Sequence, residues 1–228
     1  MFDCGVRWLS ANDLDVVNSY NLLDKMKIIA IGQNYAEHNK ELGSENPNEP
    51  VVFMKPDSAI LRANKPFYIP DFSDEVHYET ELLVKINRIG KNIAPKFAHR
   101  YYDEIGLGVD FTARDLQRRL KEEGKPWEIC KGFDGSAVIG DFLPKETLGE
   151  IQNIDFRLDI DGETVQRGNS KDMIFPVDEL IAYISRFFTL KIGDIIFTGT
   201  PVGVGKVEMG NRLQGYIFDT KMFDFQVK

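Results

Sequence analysis

The stretch His77-Tyr78-Glu79-Thr80-Glu81-Leu82 places two carboxylates two residues apart. In an extended chain alternate side chains share a face, so Glu79 and Glu81 point the same way, about 7 Å apart along the strand. Like charges so placed repel, and their burial requires a cation to meet them. A bare Glu-x-Glu most often sits on the solvated face of an edge strand. Here the opposite face offers Tyr78, Thr80 and Leu82 rather than an apolar stripe, which favours a polar interior site. A third acid, Asp110, closes the run Ile105-Gly106-Leu107-Gly108-Val109, a position that suits either a helix cap or a ligand. Three carboxylates form a hard, all-oxygen set that suits Mg2+, with Mn2+ or Ca2+ as alternatives and zinc disfavoured. His77 shares the face of the two glutamates and reads as a supporting residue rather than a ligand.

His38 and Glu41 stand three residues apart in a short helical segment, which puts them on one face. A carboxylate so placed fixes the imidazole tautomer and raises its basicity, the makings of a general base. A surface His beside a surface Glu is the plainer reading. Arg114 and Gln117 repeat the spacing one turn after Asp110, so Arg114 either pairs with an aspartate or grips a substrate carboxylate with its planar fork. Lys131, in Ile129-Cys130-Lys131-Gly132-Phe133-Asp134, is either a snorkelling surface residue or a buried cation beside the acids. Residues 198–206 look like a phosphate loop but fail its pattern, with Thr200 where glycine is required and Val207 where Ser or Thr is. They read instead as a tight turn whose backbone N–H groups and Thr200 hydroxyl can hold an anion.

The elements that must position these groups follow from local pattern. Residues 27–31 form an apolar run closed by Gly32, a buried strand. Asn34 and Glu37 make a near capping box for a helix that runs to Leu42 and stops at Gly43. Residues 51–54 and 59–61 predict short strands, and 76–86 a single long one. A helix is expected over 94–104, a strand over 105–111, and a helix over 113–123 opened by a Thr112/Asp115 box. Strands over 151–160 and 163–166 flank an Asp161-Gly162 hairpin. A helix over 176–188 precedes a strand over 194–198. Strands with a few interspersed helices and no regular βαβ series are an α+β pattern.

Composition narrows the classes. The 228 residues carry 28 basic and 36 acidic side chains, a formal charge of −8 with no basic block, which argues against a nucleic-acid partner. No apolar run approaches the roughly 20 residues that span a bilayer. Cys4 and Cys130 do not make a disulfide framework. Asp3, Arg7, Asp13, Asp15 and Asp24 interrupt the N-terminus, so it does not read as a signal peptide, and a cytoplasmic location is expected. Without repeats or linkers, residues 1–25 are expected to be a short N-terminal extension and 26–228 a single catalytic domain.

Read in order, Gly32-Gln33-Asn34-Tyr35-Ala36-Glu37-His38, Phe53-Met54-Lys55-Pro56, Tyr78 through Leu82, Val109-Asp110-Phe111-Thr112-Ala113-Arg114-Asp115, Lys131 through Asp134 and Gly193 through Gly205 closely resemble the fumarylacetoacetate hydrolase family. The resemblance spans residues 27–225 and is strongest to the single-domain acylpyruvases and oxaloacetate decarboxylases. It implies the mixed β-roll or sandwich of that family's C-terminal domain, with a few flanking helices, assembled as a homodimer. It makes Glu79, Glu81 and Asp110 the Mg2+ ligands and Lys131 a catalytic cation beside them. It puts His38 and Glu41 on a lid that activates water, and Arg114, Gln117 and Thr200 against the oxoacid end of the substrate. The implied reaction is hydrolysis of a C–C bond in acylpyruvate-type β-diketo acids through a metal-stabilised pyruvate enolate. Oxaloacetate decarboxylation and 2-hydroxymuconate-type isomerisation or decarboxylation are the alternatives, and a non-catalytic oxoacid-binding scaffold the remaining one. Gln33 departs from the pattern, standing where family members often carry Arg, which bears on lid closure and on substrate charge preference.

Overall fold

Alternate residues of the central strands face two separate apolar clusters, so these strands are buried on both sides. The computed structural model describes residues 26–62 and 65–228; the expected extension, residues 1–25, lies outside the described residues. The strands run β1 (Ile28–Gly32), β2 (Val51–Lys55), β3 (Ile60–Arg62), β4 (Val76–Tyr78), β5 (Thr80–Ile86), β6 (Tyr102–Asp110) and β7 (Thr112–Ala113) in the first half. The second half adds β8 (Ala137–Pro144), β9 (Asp155–Ile160), β10 (Glu163–Asn169), β11 (Ile195–Phe197), β12 (Gly205–Lys206), β13 (Arg212–Ile217) and β14 (Thr220–Gln226). The helices are α1 (Ala36–Glu41), α2 (Pro95–Ala98), α3 (Arg114–Glu122), α4 (Glu128–Lys131) and α5 (Val177–Phe187).

A mixed seven-stranded sheet in the order β2-β1-β11-β5-β6-β8-β3 carries two parallel pairings, β1 with β11 and β3 with β8. A four-stranded antiparallel sheet, β10-β9-β13-β14, packs on it, and a three-stranded sheet, β12-β4-β7, completes an α+β fold. Leu82 and Val84 face the large core that includes Leu107, Val138, Leu213 and Phe223, while Leu83 faces a smaller one with Ile28, Ala30, Ala137 and Phe197. Gly140 and Gly215 let the sheets approach closely. A Cβ on Gly140 would lie 2.7 Å from Met222 O, and one on Gly215 would lie 2.9 Å from Leu107 Cδ2, each in the opposing sheet. Among the described residues no helix is long and apolar enough to cross a membrane.

Several local expectations are corrected. The single strand expected over 76–86 is two, because β4 pairs with β7 and β12 whereas β5 pairs with β6 and β11. The break falls at Glu79, whose carbonyl accepts the Asp110 amide at 2.8 Å. The helix over 94–104 is only the single turn α2, because Tyr102 already pairs with Ile86 as the start of β6 and donates its hydroxyl to Asp178 at 3.0 Å. Neither capping box forms. Tyr35 occupies the N-cap of α1 without a side-chain bond, and the Asn34 side chain instead holds Phe175 N, Phe175 O and Thr198 O. Thr112 pairs with His77 in β7, and Asp115 accepts from Ser73 Oγ at 2.6 Å and Asp74 N at 3.0 Å. Residues 151–153 form a 3-10 turn before β9, and β8, which no local pattern announced, sits between β6 and β3.

Candidate active site

Glu79, at the junction of β4 and β5, Glu81, on β5, and Asp110, the last residue of β6, bring one carboxylate oxygen each to within 4.8 Å of one another. All three are buried, at 5, 1 and 0% exposure. The adjacency is a product of register, since Thr80 pairs with Val109 and Glu81 with Gly108. Burial of three like charges demands compensation, and three cations supply it. Lys131, closing α4, bridges Glu79 Oε2 at 2.7 Å and Asp110 Oδ2 at 2.8 Å. Arg114, opening α3, donates to Glu79 Oε1 at 2.6 Å and to Gln117 Oε1 at 2.6 Å. Lys55, closing β2, sits 2.6 Å from Asp110 Oδ1. The Lys55 ammonium is also held by Lys131 O, Ser136 O and Ser136 Oγ.

The compensation is uneven. Burial pushes the Glu79 carboxyl upward, but the charges of Lys131 and Arg114 outweigh it and hold the group well below the usual range. Burial, and then the charges of Asp110 and Glu79, drive the Glu81 carboxyl well above it. Among the described residues Glu81 has only a backbone partner, the Gly199 N–H at 2.7 Å, and no paired cation. A hard divalent ion answers that need. Three carboxylate oxygens within 4.8 Å of one another fit a hard divalent ion such as Mg2+, Mn2+ or Ca2+.

The loop after β11 is held against β5 by its own polar groups. Thr198 Oγ1 donates to Leu82 O at 2.9 Å, and Thr200 Oγ1 to Thr80 O at 3.0 Å. Gln166, on β10, accepts from Thr80 N and donates to Thr200 Oγ1 and Pro201 O, each at 3.0 Å. The Thr200 hydroxyl proton is thus already committed to the protein. Gly199 takes φ +98°, and a Cβ there would meet Asn34 Cβ at 2.7 Å, so only glycine lets this loop lie against the start of α1.

His38 is buried at 5% exposure, and its Nδ1 lies 3.1 Å from Glu41 Oε2. Glu41 in turn accepts the Gly203 N–H at 3.1 Å, which latches α1 onto the loop after β11. Burial lowers the His38 pKa, only partly opposed by Glu79 and Glu41, so the imidazole is neutral at neutral pH. Glu79 and Arg114 are both near enough to act on its charge. Gln33, at the entrance to α1, holds φ +60° and accepts Asn39 Nδ2 at 3.0 Å. His77 stays out of the cluster, its Nε2 on Glu75 at 2.9 Å. The Arg114 Nε is buried and has no partner among the described residues, a free donor beside the acids.

The structure thus brings Glu79, Glu81, Asp110, Lys131, Arg114 and Gln117 into one cluster, with His38 and Glu41 latched beside it and Thr200 in the adjoining loop. Lys55 and Gln166 are the additions. Lys55 ends an ordinary apolar strand and Gln166 lies in a hairpin arm, and nothing local in either stretch points to the acids. Clefts of 540 Å³, lined by Tyr102 and Lys145, and 520 Å³, lined by Phe175 and Arg186, lie elsewhere. Among the described residues neither matches this set of facing carboxylates.

Residues 27–222 match the family model described as "Fumarylacetoacetate (FAA) hydrolase C-terminal". The chain is 43% identical over 189 residues to the mitochondrial oxaloacetate decarboxylase of Dictyostelium discoideum, covering 82% of this chain and 87% of that one. It is 42% identical over 188 residues to an oxaloacetate tautomerase of Escherichia coli, covering 82% and 86%. Among solved structures, the fumarylpyruvate hydrolase of Pseudomonas aeruginosa in complex with Mn2+ and pyruvate superposes with a TM-score of 0.83 at 38% identity, covering 88% of each chain. A family match over most of the chain, relatives above 40% identity and a shared fold lead to one conclusion: this chain belongs to the fumarylacetoacetate hydrolase family.

Proposed function

We propose that this chain is a divalent-metal-dependent hydrolase that cleaves the C–C bond of acylpyruvate-type β-diketo acids. The observation that carries the reading is the buried, neutral His38, oriented by Glu41 and latched by Gly203 next to the acid cluster. Glu79, Glu81 and Asp110 would hold the metal, which supplies polarisation of the 2-oxo group and positive charge against developing negative charge. Arg114 binds the substrate carboxylate through its free Nε, and Gln117 fixes the guanidinium plane by its 2.6 Å bond. His38 takes a proton from water as the oxygen attacks the distal carbonyl. The bond between that carbonyl and C3 breaks, its electron pair stays on the pyruvate fragment, and the imidazolium returns the proton to C3. Lys131 faces the enolate charge. A carboxylate and pyruvate result.

Charge supports a doubly negative substrate. The three acids contribute −3, Lys55, Lys131 and Arg114 contribute +3, and a divalent ion brings the sum to +2. A second reading is favoured by the names of two relatives, an oxaloacetate decarboxylase and an oxaloacetate tautomerase. In tautomerisation His38 would carry a proton between C3 and the C2 oxygen, and no water would attack. The proposal extends to a cytoplasmic homodimer, as the resemblance and the sequence suggest.

The test is turnover of purified protein with Mg2+ on acetylpyruvate and on oxaloacetate. Pyruvate and acetate from acetylpyruvate, abolished by His38→Ala while Mg2+ still binds, is the expected result. Turnover of oxaloacetate alone selects the second reading, and full activity of His38→Ala on acetylpyruvate removes the proposed base.

A further inference from the structure

Lys121 has no role in the site described so far. It follows Arg114 by seven residues on α3, and at 3.6 residues per turn this returns it to within about 20° of the same face. Arg114 and Gln117, earlier on that face, are buried in the site, whereas Lys121 is exposed at its outer end. A second, independent path leads to the same residue. The Lys131 ammonium lies 5.2 Å from the centroid of the Phe53 ring. Phe53 meets Trp127 edge-on at 5.9 Å, and the Lys121 ammonium lies 5.4 Å from the Trp127 ring. Phe53 and Trp127 are half-buried, so part of each ring remains open.

Two neighbouring cations find carboxylates, Arg118 on Glu75 and Lys125 on Glu123. Among the described residues Lys121 pairs with none and has only the Trp127 ring. Burial around its ammonium, and then the like charge of Arg114, lower its pKa against the opposing charge of Glu79, although the residue as a whole is exposed. An unpaired cation at the end of a half-open aromatic path from a charged cluster suits a ligand anion.

We propose that Lys121 is a specificity-determining residue that receives the second carboxylate of a 2-oxo diacid, with Phe53 and Trp127 flanking the carbon chain. The inference rests on the oxoacid reading above, in which the 2-oxo acid end lies at Arg114 and the three acids. Seven residues of helix advance about 10.5 Å, which favours diacids longer than oxaloacetate. A flat, conjugated acyl chain ending in a carboxylate would use both the rings and the ammonium.

The test is calorimetric titration of the full chain, saturated with Mg2+, with 2-oxohexanoate and 2-oxoadipate, which match in length and differ in the terminal carboxylate. Pyruvate serves as the reference ligand. The wild type is expected to prefer 2-oxoadipate roughly tenfold, the value of one charge-assisted bond at a half-open site. Lys121→Ala should erase the preference, Lys121→Glu should reverse it, and Lys121→Arg should keep most of it. A wild type without preference, or a preference that survives both Lys121→Ala and Lys121→Glu, overturns the assignment. If pyruvate binds and the preference is missing, Lys121 alone is misassigned. If pyruvate itself does not bind, the oxoacid reading fails and this inference fails with it.

Discussion

Replacing Glu81 by glutamine removes one charge from the triad and keeps its shape. The amide oxygen can still accept the Gly199 N–H, and the amide nitrogen finds acceptors in Asp110 and Glu79. Carboxylate oxygens within 4.8 Å of each other repel by about 3.5 kcal/mol per pair at an effective dielectric of 20. Glu81 has two such neighbours, and the Lys131 charge offsets part of the cost. The sign follows from proton linkage. A carboxyl whose folded-state pKa is raised retains its proton on folding, so stability is full below the unfolded value and falls as pH rises through the folded one. At neutral pH the metal-free protein therefore bears a penalty at Glu81 that Glu81→Gln relieves. We expect a net gain of about 2 kcal/mol, or roughly 4–8 °C in Tm for a chain of this length. Mn2+ should act in the opposite sense. At about one hundred times Kd it should stabilise the wild type by about 2.7 kcal/mol, or roughly 5–11 °C, and leave the variant nearly unmoved. Thermal melts at pH 7.5 with and without Mn2+, with Kd from calorimetry, read both effects. A metal-free variant that melts below the wild type, or one that keeps wild-type Mn2+ affinity, refutes the reasoning.

Because burial lowers the His38 pKa, the acid limb of kcat/KM should fall below pH 6.5, and Glu41→Gln should move it lower still by removing a carboxylate that raises the pKa; pH–rate profiles with saturating Mg2+ measure both. His38→Ala should lower kcat by about 10²- to 10⁴-fold with Mn2+ affinity retained, as initial rates and calorimetry will show. Gly199→Ala forces a side chain to φ +98° and against Asn34, which should cost roughly 2–4 kcal/mol, read as a lower urea midpoint at constant m, and should weaken Mn2+ binding through Glu81. Lys55→Met should destabilise the fold by about 3 kcal/mol yet tighten Mn2+ and weaken oxalate, a stand-in for a chelating dianion, in paired titrations.

The parts of this site legible in the sequence are those whose geometry is local. Glu79 and Glu81 share a face because of strand periodicity, and the spacings of His38 with Glu41 and Arg114 with Gln117 are one helical turn. Both pairs bond in the structure. What escaped depends on pairing between distant segments. Residues 76–86 carry no local sign that their halves join different sheets, because the break is imposed by β7 and β12 on one side and β6 and β11 on the other. Asn34 has the composition of a helix cap, yet bonds to Phe175 and Thr198 across the chain satisfy it better than its own helix would. Lys55 ends an ordinary strand, and only the packing of α4 and residue 136 reveals that its ammonium is enclosed. The resemblance brought the segment around Lys55 into view without giving the lysine a role.

In the proposed reading the three cations would not serve the metal, since each lowers the attraction of the cluster for a divalent ion. Their benefit would fall on the substrate. Without them, three acids and a divalent ion would sum to −1 and repel an oxoacid carboxylate. With Lys55, Lys131 and Arg114 present the sum is +2, and a doubly negative ligand brings it to zero inside a buried site, where unpaired charge is most costly. The uneven distribution then acquires a reason. Glu79 and Asp110 are neutralised by fixed side chains, which keeps the fold stable before any ligand arrives. Glu81 is left to a backbone amide, so one carboxylate still needs a mobile cation. On the proposed function, metal affinity would be concentrated in one residue and substrate affinity in the three cations, which is why Glu81→Gln and Lys55→Met are expected to move metal binding in opposite directions.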